Sequence, residues 1–352
     1  MIGKKISKYK DYITCSIRCF SFCLTASGKI RKLVYIPSCA TWSKKGTIVA
    51  GLTNNTAGND SAALNSPGNL DIDSDGTLYI VDYGNNRVMK WKNGATSGTQ
   101  IGGFIYQPQM IFVTSTGNIY LTDLEPYSND FDKMYKYDPI TNSWVIIIEK
   151  LPRISMGFYV SEDQGFIYVT SYGDNIIMSY KIDGTPIGSV VGVTSADGND
   201  SYHLSDPSDV FIDEYNSYLY VADSCNNRIQ RYKFGEKKGV TVSGGQIGCE
   251  PNIPVRVIVT SNGDIYAIEL FKNRIIKVTN NYAPTCRCIV GCSNSSPLYS
   301  PFDFQFDTYG NLYIINDNNH TVIKFDISLN DCGKLTYIDY RKYHVPFYRQ
   351  TT

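Results

Sequence analysis

The stretch Asn69–Trp91 reads NLDIDSDGTLYIVDYGNNRVMKW and predicts three short β-strands joined by two tight turns. Its segments NLDID, TLYIV and RVMKW alternate or cluster β-branched and aromatic residues, a pattern typical of half-buried strands. Ser74-Asp75-Gly76 suits the first turn, where glycine accepts a positive φ, and Tyr83-Gly84-Asn85-Asn86 suits the second. Asp82 and Arg87 flank the second turn, so the sequence predicts an ion pair across it.

The same pattern recurs along the chain. Clear copies begin at Ser208 and Val255, and weaker copies begin at Met110, Gly157 and Asp303. The copies follow one another at intervals of about 40–50 residues, the length of a four-stranded propeller blade. The sequence therefore predicts an all-β fold, a six-bladed β-propeller. In the other five copies, the positions expected to match Asp82 are Asp123, Ser171, Asp223, Glu269 and Asp317.

The chain is expected to have three parts, an N-terminal segment (1–40), the propeller (41–332) and a C-terminal tail (333–352). Residues 47–50 are predicted to add the outer strand to the sixth blade, beside residues 322–325, and so to close the ring. This closure places Cys39 and Cys332 at the same end of that blade, and we predict a disulfide between them. Fourth strands of the other blades are expected near residues 99–102, 144–148, 187–191, 240–243 and 286–290.

Composition narrows the function classes. The chain has 33 basic and 33 acidic residues and a formal net charge of zero, which argues against nucleic-acid binding. No apolar stretch reaches the roughly 18 residues that a membrane-spanning helix needs. Residues 1–40 have either a weakly signal-like character or that of a disordered arm, so extracellular and cytoplasmic locations both stay open. Many of the 28 tyrosines recur at one place in the middle strand of each copy, where packing is expected.

Two long connections match each other, GLTNNTAGNDSAALNSP from Gly51 and GVTSADGNDSYHLSDP from Gly192. They precede blades 1 and 4, which lie opposite each other in a six-bladed ring. Because propellers usually carry function on such loops, we predict a binding surface there, together with the insert Leu124–Lys133. The candidate contact residues are Asn59, Asp60, Tyr83, Asn85, Tyr127, Asp130, Asn199, Asp200, Tyr202 and His203.

Catalytic and metal-binding residues are not expected. The chain has three histidines, and His344 lies in the tail, so the repeats alone cannot assemble a three-histidine zinc site. Asp60, Asp200, Asn59 and Asn199 offer oxygen ligands for Ca²⁺, but they are expected to form Asx turns. Sequons of the form Asn-x-Ser/Thr permit N-glycosylation, and they begin at Asn54, Asn59, Asn199, Asn294 and Asn319.

The repeated elements resemble the NHL-repeat family. The resemblance rests on Pro67…Asp73, Gly76…Asp82 and Asn85-Asn86-Arg87-Val88, and on the matching elements Pro207…Asp213, Tyr218…Asp223 and Asn226-Asn227-Arg228-Ile229. It is most specific at blades 1, 4 and 5, and it implies a six-bladed propeller. Members of this family include RNA- or protein-binding modules of ring-finger ligases, sensor domains of receptor kinases, and a peptide-amidating lyase that holds zinc with three histidines.

The sequence contains no ring finger, coiled coil or kinase segment beside the repeats. We therefore predict a non-enzymatic binding scaffold without a cofactor, monomeric, with a protein, peptide or glycan partner. The alternative is a metal-dependent propeller enzyme that uses zinc or calcium and resembles the amidating lyase or a lactonase. A third interpretation, an RNA-binding or ubiquitin-ligase-associated module, is opposed by the neutral charge.

Overall fold

The computed structural model describes residues 33–124, 132–152, 155–194, 196–244, 251–279, 285–293 and 297–332. In this part of the chain the strands form six four-stranded antiparallel sheets and one two-stranded sheet. The first strands of neighbouring sheets contact each other all the way round. The prediction of a six-bladed β-propeller is confirmed.

In each blade the strands are arranged in sequence order from the axis outward. The exception is the sixth blade, whose outer strand comes from the N-terminal part of the chain. Blade 1 contains the strands Pro67–Ile72, Leu78–Asp82, Arg87–Trp91 and Thr99–Ile101. Blade 2 contains Pro108–Val113, Ile119–Asp123, Met134–Asp138 and Ser143–Ile148. Blade 3 contains Phe158–Ser161, Phe166–Ser171, Ile176–Lys181 and Pro186–Gly192. Blade 4 contains Pro207–Asp213, Tyr218–Asp223, Arg228–Lys233 and Val240–Ser243. Blade 5 contains Pro254–Val259, Ile265–Glu269, Arg274–Val278 and Cys286–Val290. Blade 6 contains Pro301–Phe306, Leu312–Asn316, Thr321–Phe325 and, as its outer strand, Thr47–Ala50.

This topology gives the propeller two distinct faces. The connections into each first strand, and the turns between second and third strands, lie at one end of the antiparallel sheets, which we call the loop face. The remaining turns lie at the other end, the opposite face. In four blades the loop-face turn is a short 3-10 helix, namely Tyr83–Asn85, Ser224–Asn226, Leu270–Lys272 and Asp317–Asn319. A further 3-10 helix, Asn330–Cys332, follows the last strand.

Neighbouring blades are joined on the loop face by a repeated hydrogen bond. At the five junctions whose turn residues the structure describes, the residue after the turn is left-handed, and its side chain accepts the backbone N–H of the residue that precedes the first strand of the next blade. Asn86 accepts from Gln107 at 2.8 Å in this way, and His320 Nδ1 accepts from Ser66 at 3.0 Å. The other three pairs are Asn175 with Asp206, Asn227 with Ile253, and Asn273 with Ser300. Both members of each pair have a positive φ, so asparagine supplies a tolerated conformation and an acceptor together.

The register of blade 6 corrects one sequence-based expectation. Asn316, and not Asp317, pairs with Thr321 as Asp82 pairs with Arg87. Asn316 Oδ1 accepts the backbone N–H of Tyr299 at 2.6 Å. Asp317 instead begins the following 3-10 helix. Matching by residue type selected the acidic residue, although the amide one position earlier fills the same structural role.

The ring closes where the sequence predicts. Thr47–Ala50 pairs antiparallel with Thr321–Phe325, and Thr41–Trp42 pairs with Ile327–Ser328. Cys39 and Cys332 are joined by a disulfide with their Cα atoms 5.0 Å apart. Residues 33–40, which the sequence analysis assigned to the N-terminal segment, pack on blade 5, where Ile36 is fully buried.

Apolar packing lies mainly between adjacent blades. Side chains of blades 1 and 2 form one cluster, and those of blades 4 and 5 form another. The recurring middle-strand tyrosines are all buried, namely Tyr79, Tyr120, Tyr168, Tyr220, Tyr266 and Tyr313. Burial and nearby carboxylates raise the pKa of Tyr79 and Tyr313, so both stay neutral phenols. Within the described residues, no helix has the length and apolar character needed to cross a membrane.

Candidate functional site

The matched loop before blade 1 is held by the arginine of that blade. Arg87 is buried, and its Nε lies 2.6 Å from Asp82 Oδ2. Its two terminal nitrogens donate to the backbone carbonyl oxygens of Asn59 at 2.7 Å, Asp60 at 2.9 Å and Ala63 at 3.0 Å. A planar guanidinium with several fixed donors is suited to this combination. The expected ion pair therefore exists, and it also fixes the loop to its blade.

Blade 4 repeats this arrangement. Arg228 Nε lies 2.6 Å from Asp223 Oδ2, and its terminal nitrogens donate to the carbonyl oxygens of Asn199, Asp200 and His203. Blade 5 keeps the ion pair between Glu269 and Arg274. We call residues 51–66 and 196–206 the clamped loops, since each is held by the arginine of the blade that it precedes.

The acidic side chains of the clamped loops close turns within the loops. Asp60 Oδ1 accepts the backbone N–H groups of Ala62 and Ala63. Asp200 Oδ1 accepts those of Tyr202 and His203 and lies 2.8 Å from His203 Nδ1. The hydrogen bonds from His203 and from the Tyr202 amide lower the pKa of Asp200, whose carboxylate is exposed. The Asx-turn interpretation is thus confirmed for both aspartates, whereas in the part of the chain that the structure describes no such hydrogen bond involves the side chain of Asn59 or Asn199.

The other residues predicted to contact a partner are half-buried, exposed or outside the described residues. Asn85 is half-buried, and its amide donates to Gly58 O and to Asp82 Oδ2, so it supports the clamped loop. Tyr83 is half-buried beside the cluster of blades 1 and 2, whereas Tyr202 is 48% exposed. Tyr127 and Asp130 lie outside the described residues.

Exposed aromatic side chains are concentrated on the loop face, a feature that sequence reasoning missed. Within the described ranges six of them lie there, namely Phe104, Tyr106, Tyr202, Phe271, Tyr299 and Phe302. The opposite face has Tyr215 and Tyr309, and Tyr35 lies in the N-terminal stretch. Aromatic side chains are enriched in binding surfaces because they bury a large area at a small entropic cost.

Three of these aromatic residues lie at one junction. Phe271 is in the loop-face turn of blade 5, while Tyr299 and Phe302 flank the start of blade 6. The hydrogen bond from the Ser300 amide to Asn273 Oδ1 ties these two segments together at 2.9 Å. We call Phe271, Tyr299 and Phe302 the aromatic junction. Its position follows from the blade topology, and the irregular sequences around it show no pattern that predicts it.

A ring of first-strand residues surrounds the propeller axis. The position two residues after the proline that starts most first strands is occupied in turn by Asn69, Met110, Gly157, Asp209, Arg256 and Asp303. Except at Gly157, which has no side chain, these residues link successive blades through their side chains. Asn69 accepts the amide of Ile111 in blade 2 at 2.9 Å, and Asp209 accepts that of Val257 in blade 5 at 2.8 Å. At Gly157 an added Cβ would lie 2.6 Å from the Ser208 carbonyl oxygen of blade 4, so glycine permits that close contact.

Arg256 carries the positive charge of this ring. Its Nε lies 2.7 Å from Asp303 Oδ1, and its Nη1 lies 3.2 Å from Asp209 Oδ1. Burial alone would lower the pKa of Arg256, but the two carboxylates raise it, so the guanidinium stays charged. Asp303 also accepts N–H groups from Asn69, Leu70 and Phe304. Both carboxylate oxygens of Asp303 are therefore already bonded inside the ring.

Burial has a large effect on the acids of the ring. It raises the pKa of Asp303 to about 7, against the opposing influence of Arg256 and the Leu70 amide. It also raises the pKa of Asp209, opposed by Arg256 and the Val257 amide. Asp303 and Asp209 are each 1% exposed. The ring is thus an internal bonding network between blades.

Histidines and acids do not gather into a metal centre in the part of the chain that the structure describes, where no group of three potential ligands is close enough to hold a metal ion. His203 contacts Asp200, and His320 accepts the Ser66 amide. These two histidines belong to blades 4 and 6. His344 lies outside the described residues.

Comparison with known proteins supports the fold. No family model matches the chain, and no curated protein matches it in sequence. Among solved structures it is similar to an auxiliary nutrient binding protein from Bacteroides ovatus, with 16% identity, a TM-score of 0.63 and coverage of 80% of this chain and 76% of that one. It is also similar to a structural genomics protein of unknown function from Bacteroides thetaiotaomicron, with 13% identity, a TM-score of 0.62 and coverage of 82% and 76%.

A streptogramin B lyase is a further structural neighbour. It shares 15% identity and a TM-score of 0.53, with coverage of 75% of this chain and 94% of that one. Identities at this level show a shared propeller fold and do not transfer activity. The NHL resemblance accordingly rests on the motifs in the sequence.

Proposed function

We propose that this protein is a non-enzymatic binding scaffold that presents its loop face to a protein, peptide or glycan partner. The observation that carries the proposal is the placement of exposed aromatic side chains among the residues that the structure describes, of which six lie on the loop face and two on the opposite face. Large rigid aromatic groups bind protein and peptide surfaces and stack on flat ligands. The aromatic junction is the proposed centre of the contact surface.

The anchoring of the loop face supports this proposal. Arg87 and Arg228 fix the clamped loops through their backbone carbonyl groups, and Asn273 fixes the start of blade 6. Binding costs less when the surface is already ordered in the free protein. Asp60, Asp200, Tyr202 and His203 belong to this surface at blades 1 and 4.

The state of the central ring also favours binding over catalysis. An enzymatic propeller that uses acids near its axis needs at least one carboxylate available to substrate or metal. Here Asp209 and Asp303 are buried and bonded to Arg256 and to backbone amides. The names of two structural neighbours, both auxiliary nutrient binding proteins, agree with a binding role for such a scaffold.

The proposal is tested by probing peptide and glycan arrays with the labelled full-length chain. We expect one chemical class to be retained at micromolar or lower protein concentration. A parallel elemental measurement on extensively dialysed protein checks the enzymatic alternative, which requires stoichiometric zinc or calcium. Absence of any retained class, together with stoichiometric metal, would contradict a binding scaffold.

A further inference from the structure

Cysteine pairing points to the compartment in which the chain folds. Every cysteine in the described ranges except Cys225 is in a disulfide, through the pairs Cys39–Cys332 and Cys288–Cys292 and through a disulfide of Cys286. Such disulfides persist in oxidising compartments and are rare in a reducing cytosol. A chain that folds in an oxidising secretory compartment also meets the machinery for N-glycosylation.

The structure distinguishes among the sequons. Asn319 is half-buried, and the hydroxyl-bearing Thr321 of its sequon is fully buried in a strand. Asn54 is exposed, but its side-chain oxygen is engaged by Thr56 within a turn. Asn294 lies outside the described residues. Asn59 and Asn199 remain, and both are exposed on the loop face.

Asn59 and Asn199 share a further property. Their carbonyl oxygens are held by Arg87 and Arg228, whereas neither side-chain amide has a hydrogen-bond partner in the described part of the chain. In the adjacent turns, by contrast, the side-chain amides of Asn85 and Asn226 donate to the carbonyl oxygens of Gly58 and Gly198 and so hold the loops. Substitution at the amide nitrogen of Asn59 or Asn199 therefore breaks no hydrogen bond among the described residues.

We propose that Asn59 and Asn199 are N-glycosylation sites, placed on opposite blades by the two clamped loops. In the transfer, Nδ2 of the asparagine loses a proton and bonds to the anomeric carbon of a lipid-linked oligosaccharide diphosphate. The bond from that carbon to the phosphate oxygen breaks, and the lipid diphosphate leaves. A glycan at Asn199 lies three residues from Tyr202, while the aromatic junction, in blades 5 and 6, stays accessible.

The test uses the full chain secreted from cultured eukaryotic cells behind a supplied leader. Non-reducing peptide mapping first establishes the Cys39–Cys332 link, which shows that the chain folded in the oxidising compartment. Peptide-N-glycosidase treatment in ¹⁸O water then converts each occupied asparagine to labelled aspartate. We expect label at Asn59 and at Asn199. Protein that carries the Cys39–Cys332 disulfide but has no label at either site would overturn the proposal.

Variants provide the matched controls. Asn59→Gln and Asn199→Gln retain the backbone carbonyl groups that the arginines hold, so both are expected to fold, as thermal melting checks. Each is expected to remove one glycosidase-sensitive mobility step on a gel. Ser61→Ala and Ser201→Ala, which disrupt the sequon but leave the asparagine intact, are expected to do the same. Asn319→Gln is expected to leave the gel pattern unchanged. If all four sequon variants keep every glycosidase-sensitive step of the unmodified protein, the assignment of these sites is overturned.

Discussion

Arg87 donates from Nη1 to the carbonyl oxygen of Asn59 at 2.7 Å while its Nε lies 2.6 Å from Asp82. This one side chain therefore joins a strand end, a hairpin turn and a loop that lies 28 residues earlier in the chain. Arg228 does the same in blade 4. The charged pair that the repeat motif predicts is thus a device that anchors loops on the propeller surface.

Replacing Arg87 by lysine should destabilise the protein by about 2–4 kcal/mol, because a lysine keeps the charge beside Asp82 but loses the forked bonds to loop carbonyl groups. Chemical unfolding followed by fluorescence measures the change. Arg228→Lys is the matched variant, and its effect should be similar because its contacts are the same. Equal stability of Arg87→Lys and the unmodified protein would contradict the anchoring role.

Asn316 should contribute more to stability than Asp317. Asn316 is fully buried and bonds the Tyr299 amide at 2.6 Å and the Pro297 carbonyl at 3.0 Å. Asn316→Ala removes two partly buried hydrogen bonds to backbone groups, and each such bond contributes about 0.5–1.5 kcal/mol. Asp317→Ala alters a half-buried side chain and should cost less. A larger loss for Asp317→Ala would restore the register expected from the sequence.

Asp303 should make stability depend on pH. Its pKa is about 7 in the folded protein and about 3.9 in an unfolded chain. Between these values the folded protein binds a proton that the unfolded chain has released, so this contribution to stability is fully present below pH 4. It is lost as the pH rises through 7, by up to about 1.4 kcal/mol per pH unit.

The Asp303→Asn variant isolates this contribution. The free energy of unfolding of the unmodified protein, minus that of the variant, should fall from pH 5 to pH 7 and level off above pH 8. Urea titrations at five pH values measure the difference, in which contributions from other titrating groups largely cancel. A difference that is constant across this range would contradict the raised pKa.

The Cys39–Cys332 disulfide should stabilise the ring more than the Cys288–Cys292 disulfide. It closes a loop with a sequence separation of 293 residues, compared with 4 for the other pair. The chain-entropy treatment assigns about 6 kcal/mol to the long loop and about 2 kcal/mol to the short one. Unfolding of the Cys39→Ser/Cys332→Ser and Cys288→Ser/Cys292→Ser double variants compares them. Equal losses would show that loop entropy is not the cause.

Much of the fold could be read from the sequence because each blade repeats the same local chemistry. Alternating apolar residues define the strands, and Gly or Asn marks the turns, so blade number and ring closure followed. The error at Asp317 arose where Asn316 replaces an acid with an amide of the same acceptor geometry. Local patterns do not indicate that difference.

The site was less predictable than the fold. The clamped loops were recognisable as a matched pair, but their attachment to Arg87 and Arg228 depends on contacts between distant segments. The charge network of Arg256 with Asp209 and Asp303 joins three blades, and each member looks like an ordinary polar residue in its own strand. A closer comparison of the positions after Pro207, Pro254 and Pro301 would have indicated it. The aromatic junction could be located only from the blade topology, which brings Phe271 close to the start of blade 6.

The most direct test of a binding role for the loop face is a titration of the array-selected ligand into paired face variants. One variant carries Phe271→Ala, Tyr299→Ala and Phe302→Ala, and its control carries Tyr215→Ala and Tyr309→Ala on the opposite face. We predict that the Kd rises at least about 10-fold, equivalent to about 1.4 kcal/mol, in the loop-face variant and stays unchanged in the control. Unchanged affinity in the loop-face variant with weakened binding in the control would contradict the account.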